Sequence, residues 1–167
     1  MHSRVYAVPM RWPEPPVAVA LVEPEIPPNT GNIARLCAAT GSPLHLVGPL
    51  GFRLTGAQVR RAGLDYWDAV ELVRHKDYAV FETATGGRRR WFFSTRGRRR
   101  YTDAAYQPGD LLVFGSESRG LPDAVLDKHP DAVLGLPMRI EKVRSLNLAT
   151  AVGIALYEAL RQIDARG

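Results

Sequence analysis

The chain predicts an α/β domain built on a mostly parallel sheet with helices on both faces. Three observations predict it. The apolar runs are continuous rather than alternating, as strands covered on both faces require. Helical patterns separate those runs, which suits crossover connections rather than hairpins. Polar turns rich in Gly, Asn and Ser follow three of the runs, at the strand ends where ligands of such sheets usually bind.

Each element follows in order. Met1 to Pro16 is polar, proline-rich and carries Glu14, so it lacks the apolar core of a signal peptide. Residues 1–16 read as a loose extension, and residues 17–167 as a single domain. Val17–Val22 is the first strand, ending at Glu23-Pro24. Asn29 or Thr30 can cap a helix through Thr40, closed by Gly41 and Pro43. Leu44–Val47 is the second strand, followed by Gly48-Pro49 and a short helix near Thr55–Ala62. Ala69–Val73 is a third strand and Lys76–Thr83 a helix. Arg90–Ser94 and Leu111–Phe114 are further strands, divided by an arginine-rich loop and the turn Gln107-Pro108-Gly109-Asp110. Leu121–Lys128 is a short helix, Ala132–Leu136 a last strand, and Leu146–Ile163 the final helix.

That final helix says most. Leu148, Val152, Leu156, Leu160 and Ile163 recur at helical spacing, while Ala149, Ala151, Ile154, Ala155 and Ala159 cover the other faces. A helix apolar all round is buried on more than one side, and in so short a chain the expected second cover is another subunit. Ser145 or Asn147 is a natural N-cap, leaving free backbone N–H groups and a positive dipole end beside Arg144.

Composition narrows the function. At 167 residues and 46% hydrophobic, the chain holds enough apolar content for one core. Its longest apolar stretch is too short to cross a bilayer. Cys37 is alone, excluding an internal disulfide or cysteine metal cluster, and His2, His45, His75 and His129 lack metal-ligand spacing. A cytoplasmic protein without a metal is expected. The net charge is +5, yet Arg88, Arg89, Arg90, Arg96, Arg98, Arg99 and Arg100 crowd one window, with Trp91, Phe92, Phe93 and Tyr101 interleaved. The plain reading is a solvated basic surface around a buried strand. Counterion release on a polyanion would relieve the crowding, so a nucleic acid is the favoured partner. No amphipathic basic helix accompanies the patch, which disfavours a membrane.

Three polar clusters fall after strands: Pro27-Pro28-Asn29-Thr30-Gly31-Asn32-Ile33-Ala34-Arg35, then Gly115 through Pro122, then Pro137 through Asn147. None holds a dinucleotide fingerprint or a P-loop lysine, which disfavours a nucleotide-binding regulator. In order and composition the three are similar to the motifs of the SPOUT superfamily of RNA methyltransferases, in its 2′-O-ribose branch. Asn29-Thr30-Gly31-Asn32-Ile33-Ala34-Arg35 resembles the first motif and Phe114-Gly115-Ser116-Glu117-Ser118-Arg119-Gly120-Leu121-Pro122 the second. Leu136-Pro137-Met138 with Arg144-Ser145-Leu146-Asn147-Leu148-Ala149 resembles the third. Glu23-Pro24-Glu25-Ile26 and Arg60-Arg61-Ala62-Gly63-Leu64-Asp65-Tyr66 sharpen the likeness to members acting on the wobble ribose of certain leucine tRNAs.

The resemblance implies S-adenosylmethionine as methyl donor, tRNA as substrate, a homodimer, and a deep trefoil knot in the C-terminal third. Short unthreaded connections are otherwise the default for such sheets. It places cofactor contacts on Phe93, Gly115, Leu136, Met138, Ser145 and Leu146, with Gly115 permitting close approach of the ligand. It implies Arg35 as the leading catalytic residue, reaching the site from the partner or from the adjacent helix. Asn32 then orders the first turn and Arg35. Glu117 holds Arg35 or a ribose hydroxyl, and Ser145 and Asn147 orient the cofactor carboxylate or the ribose. Arg96, Arg98, Arg99, Arg100, Arg119 and Arg144 are candidates for tRNA phosphate. The Arg88–Arg100 stretch is denser than the family pattern, and Met1 to Pro16 has no counterpart in it. Two alternatives stay open: a 2′-O-methyltransferase for another tRNA or rRNA position, and a non-catalytic RNA-binding protein of the same fold.

Overall fold

The computed structural model describes residues 7–53 and 67–167. The helix expected near Thr55–Ala62 and the Arg60–Tyr66 stretch lie outside the described residues.

Strands β1 (Ala18–Val22), β2 (Leu44–Val47), β3 (Leu72–His75), β4 (Arg90–Phe93), β5 (Arg99–Arg100), β6 (Leu111–Phe114) and β7 (Val133–Gly135) form one sheet. Their spatial order is β3-β2-β1-β6-β4-β7-β5, and every recorded pairing is parallel. Side chains alternate between the faces of each strand. Val19, Leu21, Leu44, Leu46, Leu112 and Phe114 face helices α1 (Pro27–Thr40) and α4 (Leu148–Arg166). Ala18, Ala20, Val22, Val47, Phe92 and Val113 face α2 (Tyr78–Ala84) and α3 (Asp123–Lys128). Both faces are covered, which is why β1 and β6 read as unbroken apolar runs and β2 as one broken only by the buried His45.

Helix α1 starts two residues before its expected caps. Pro27 and Pro28 occupy the first turn, where fixed φ and a missing N–H cost nothing. It ends at Gly41, left-handed at φ 66, as the sequence suggests. Helix α2 starts at Tyr78 because the Asp77 carboxylate accepts from Val80 N at 2.9 Å. Asn147 caps α4, accepting from Ala149 N at 2.9 Å and Thr150 N at 3.3 Å.

Strand β3 is displaced from the expected Ala69–Val73, where Trp67–Ala69 instead forms a 3-10 turn. Register with β2 sets its place, and it carries His75 inward against His45, Nδ1 to Nε2 at 2.8 Å. Strand β5 was expected as loop. Its two arginines carry no apolar signal, and pairing with Leu134 and Gly135 alone makes it a strand. Residues 7–16, read as a loose extension, run beside the end of α4. Arg11 N donates to Asp164 Oδ1 at 2.8 Å, and Met10 packs on the core. Among the described residues, no helix is long and apolar enough to cross a membrane.

Candidate active site

In a parallel sheet all strands end on the same edge, so the turns after β1, β6 and β7 can meet there. They do. A cleft of about 460 Å³ opens between them, within the size range of small-molecule sites. Its floor is Phe93 stacked on Phe114, ring centroids 4.6 Å apart, at the ends of adjacent strands β4 and β6. Leu134, Leu136 and Leu146 supply apolar wall.

All six residues proposed for cofactor contact line this cleft: Phe93, Gly115, Leu136, Met138, Ser145 and Leu146. Gly115 also has a reason within the fold for being glycine. A Cβ there would lie 2.0 Å from Gly120 C and 2.2 Å from Leu121 N, so the turn itself forbids a side chain. Glu117, Asn147, Arg96, Arg119 and Arg144 also line the cleft.

Asn32 and Arg35 do not. Helix phase explains why. Asn29, Ile33 and Cys37 are buried at spacing four, whereas Asn32, Arg35 and Ala39 share the opposite, exposed face. Asn29, passed over at the sequence level, is the first-motif residue in the cleft, and extending the Ile33–Cys37 stripe back one turn would have found it.

Asn29 joins the three motifs. Its Nδ2 donates to Glu117 Oε1 at 3.4 Å, and its Oδ1 accepts from Asn147 Nδ2 at 3.1 Å. An ionised carboxylate only accepts, so Glu117 dictates which end of the Asn29 amide faces it. That leaves Oδ1 toward Asn147, which must answer with its NH2 and keeps its own oxygen for the α4 cap. One charge thus orients two amides and a helix start. Glu117 also accepts from Glu25 N at 2.8 Å and Ile26 N at 3.2 Å, capping the approach to α1 from a distant loop. No ion pair joins it to Arg35 among the described residues. Glu25 returns the bond, accepting from Ser118 Oγ at 2.6 Å and Ser118 N at 3.2 Å. These serine bonds, Ser118 first and then Ser116, hold its carboxyl below the usual range.

The arginine run divides by use. Arg88 donates to Gly109 O, Arg89 pairs with Asp110 at 3.2 Å, and Arg90 donates to Glu82 O and Thr85 Oγ1. Arg96 pairs with Asp123. Arg99 donates to Asp131 O and Asp103 O and lies over the Trp91 ring. Arg98 and Arg100 are exposed without an ion pair among the described residues, as are Arg119 and Arg144. Much of the crowding seen in the sequence is therefore relieved internally.

The cleft suits a ligand with a flat apolar end and a charged end. The Phe93–Phe114 floor and the leucine walls fit a flat apolar group, while Ser145 and the guanidinium groups of Arg119 and Arg144 offer donors to anionic oxygens at its rim. Fold and cleft together define an α/β protein of parallel sheet with a ligand-sized cleft beyond the strand ends. The family model for the SpoU rRNA Methylase family matches residues 16–157, and the chain belongs to that family.

Its relatives include tRNA (cytidine(34)-2′-O)-methyltransferase of Burkholderia ambifaria, 51% identical over 152 residues, covering 89% of this chain and 97% of that one. A solved structure concerned with 2-OH methylation of C/U34 on tRNA superposes with TM-score 0.82 at 50% identity, covering 87% and 95% of the two chains. An AdoMet-bound rRNA methyltransferase from Sinorhizobium meliloti superposes with TM-score 0.76 at 29% identity, covering 87% of this chain and 56% of that one.

Proposed function

We propose that this protein transfers a methyl group from S-adenosylmethionine to the ribose 2′-hydroxyl of the wobble nucleotide, cytidine or modified uridine, in tRNA anticodon loops. Leucine tRNAs are the proposed set and the cytoplasm the proposed site of action. The observation that carries this reading is the near full-length similarity to enzymes named for cytidine 34 of tRNA, together with a cleft assembled by all three motif turns. When bound, S-adenosylmethionine supplies an activated sulfonium methyl and leaves as S-adenosylhomocysteine.

The chain's own residues do the rest. Phe93, Leu136, Met138 and Leu146 hold the donor, with the rigid Gly115 turn beneath. Ser145 offers a hydroxyl at the cleft. Asn147, Asn29 and Glu117 fix the positions of the three turns, so the acceptor hydroxyl meets a preorganised site. Arg35 stabilises the developing alkoxide through its charge, and Asn32, one turn earlier on the same exposed face, orders it.

An outward-facing Arg35 is best supplied to the partner's cleft in a homodimer. What supports a dimer is the exposed apolar surface of α4, with Ile154 38% and Tyr157 47% accessible. Arg96, Arg98, Arg100, Arg119 and Arg144 are proposed to meet tRNA phosphate, and Arg99 to steady that edge. The deep trefoil knot is part of the proposal. The strand order β6-β4-β7 and the tight passage at Gly97, where a Cβ would come 2.4 Å from Leu134 C, support it.

The test is to map 2′-O-methyl groups in cellular tRNA with and without the protein. Loss confined to nucleotide 34 is expected; an unchanged map refutes the reading.

A further inference from the structure

We infer that the exposed turn at residues 139–142 is an RNA-gripping surface that holds the phosphates and bases flanking the target nucleotide, alongside the arginine-rich edge of the sheet. The inference rests on the tRNA reading above and names the part of the chain that does the holding.

The turn is short and closed by one backbone bond, Lys142 N to Arg139 O at 3.0 Å. Met138 and Arg144 stand on either side of it, and both line the cleft, so the turn borders the cleft. Arg139, Lys142 and Arg144 are exposed and enter no ion pair or side-chain hydrogen bond among the described residues. That separates them from the arginine run, where Arg88, Arg89, Arg90, Arg96 and Arg99 already have partners within the fold. Glu141 is the one opposing charge, which leaves the segment from Arg139 to Arg144 net positive by two.

Between the cations stand two aliphatic side chains in water, Ile140 at 75% and Val143 at 51% accessibility. A turn with no packing role has no internal use for them. Cations alternating with exposed apolar groups match a single strand of RNA, which offers phosphates on one side and unstacked base faces on the other. Paired helical RNA shows no base faces, so the fitting partner is loop rather than stem.

The experiment measures binding of an unmodified tRNA transcript across a salt series, with methyl transfer and thermal unfolding followed in parallel. Two lost phosphate contacts remove about 1.4–1.8 from the log–log salt slope and weaken binding about 20-fold at 150 mM salt. R139A/K142A is expected to show this with unchanged unfolding midpoint and unchanged calorimetric uptake of S-adenosylmethionine. E141K is expected to bind more tightly with a steeper slope. Wild-type methylation of nucleotide 34 together with an unaltered salt slope in R139A/K142A overturns the inference and leaves the functional reading intact. Wild type that neither binds nor methylates tRNA overturns both. Loss of self-association in I140S/V143S, with RNA affinity unchanged, assigns the surface to a second copy of the chain and also overturns it.

Discussion

Replacing Glu117 by glutamine changes no shape and removes one charge, so it isolates what the carboxylate does. Both oxygens are in use: Oε2 accepts from Glu25 N at 2.8 Å, and Oε1 accepts from Ile26 N at 3.2 Å and Asn29 Nδ2 at 3.4 Å. A glutamine must turn its NH2 toward one of these sets, and there a donor meets a donor. With NH2 at the Oε2 position the Glu25 bond is lost; with the opposite flip two bonds are lost. Hydrogen bonds to a charged group contribute roughly 1.5–3 kcal/mol. A carboxylate near a helix N-terminus adds about 0.5 kcal/mol at an accessible site. Part of the loss is recovered from water, because the loop is partly open, so about 2 kcal/mol is the expected cost. For a chain of this size that lowers the unfolding midpoint by about 4–8 °C. The assay is thermal unfolding by circular dichroism, with calorimetric uptake of S-adenosylmethionine as the second readout. Uptake should weaken as well, because the amides of Asn29 and Asn147 lose their fixed orientation. A midpoint within about 1 °C of wild type and unchanged uptake would refute the claim that this carboxylate organises the three turns.

Asn29→Ala should lower methyl transfer and cofactor uptake sharply while Asn32→Ala leaves uptake unchanged; equal effects on uptake would contradict the helix-phase assignment. Asp110, 1% exposed, accepts from Trp91 Nε1 and Gln107 N at 2.9 Å each and pairs with Arg89. Asp110→Ala should cost about 2 kcal/mol in denaturant unfolding, since it strands the buried Trp91 indole N–H and the Gln107 N–H, while the half-exposed Arg89 keeps its bond to Ala105 O. Burial pushes the His45 imidazole down to about 4, with neighbouring His75 as the next cause. Depressed in the folded state, it gives stability that is full above its unfolded value near 6.5 and is lost as pH falls toward about 4, at most about 3 kcal/mol. His45→Gln should flatten the stability profile over that interval. Tyr157→Lys should shift the proposed homodimer toward monomer in sedimentation and reduce methyl transfer without lowering cofactor uptake.

How much was legible varied by element for physical reasons. Leu44–Val47 and Leu111–Phe114 coincide with β2 and β6 because both strands are buried along their whole length and end at Gly48 and Gly115. Strand β3 slipped because Arg74 and His75 look like an end of strand, and only pairing with His45 makes the last position an interior one. The start of α1 was misplaced because Pro27 and Pro28 occupy its first turn and the carboxylate that holds the residues before it stands 91 positions from Ile26, beyond any local pattern. In the site, Leu136 and Leu146 came from the likeness to the family's third motif, and both line the cleft. Asn29 was readable too, through helix phase, but the eye goes to Asn32 beside Arg35. The arginine run misled in a different way. Its charge count is local, while the carbonyls and carboxylates that absorb it come from Gly109, Asp110, Asp123 and Asp131.

The same bookkeeping bears on how a weakly acidic hydroxyl could be activated. A general base needs a free lone pair within reach of the proton. Among the described side chains lining the cleft, the Glu117 lone pairs are already directed at three donors, and the Asn147 oxygen is spent on two backbone N–H groups. Arg35, Arg119 and Arg144 carry no acceptor at all. On the proposed reading a guanidinium, having no acceptor, would serve by charge rather than by taking a proton. What the cleft offers instead is a rigid donor pocket, turns locked by two reciprocal carboxylates, and cations on its rim. A reaction whose methyl is already activated by sulfonium charge asks mainly for orientation and for a stabilised alkoxide. On the proposed reading the acceptor proton would pass to solvent as the S–CH3 bond breaks and the C–O bond forms, and these residues would contribute chiefly by position.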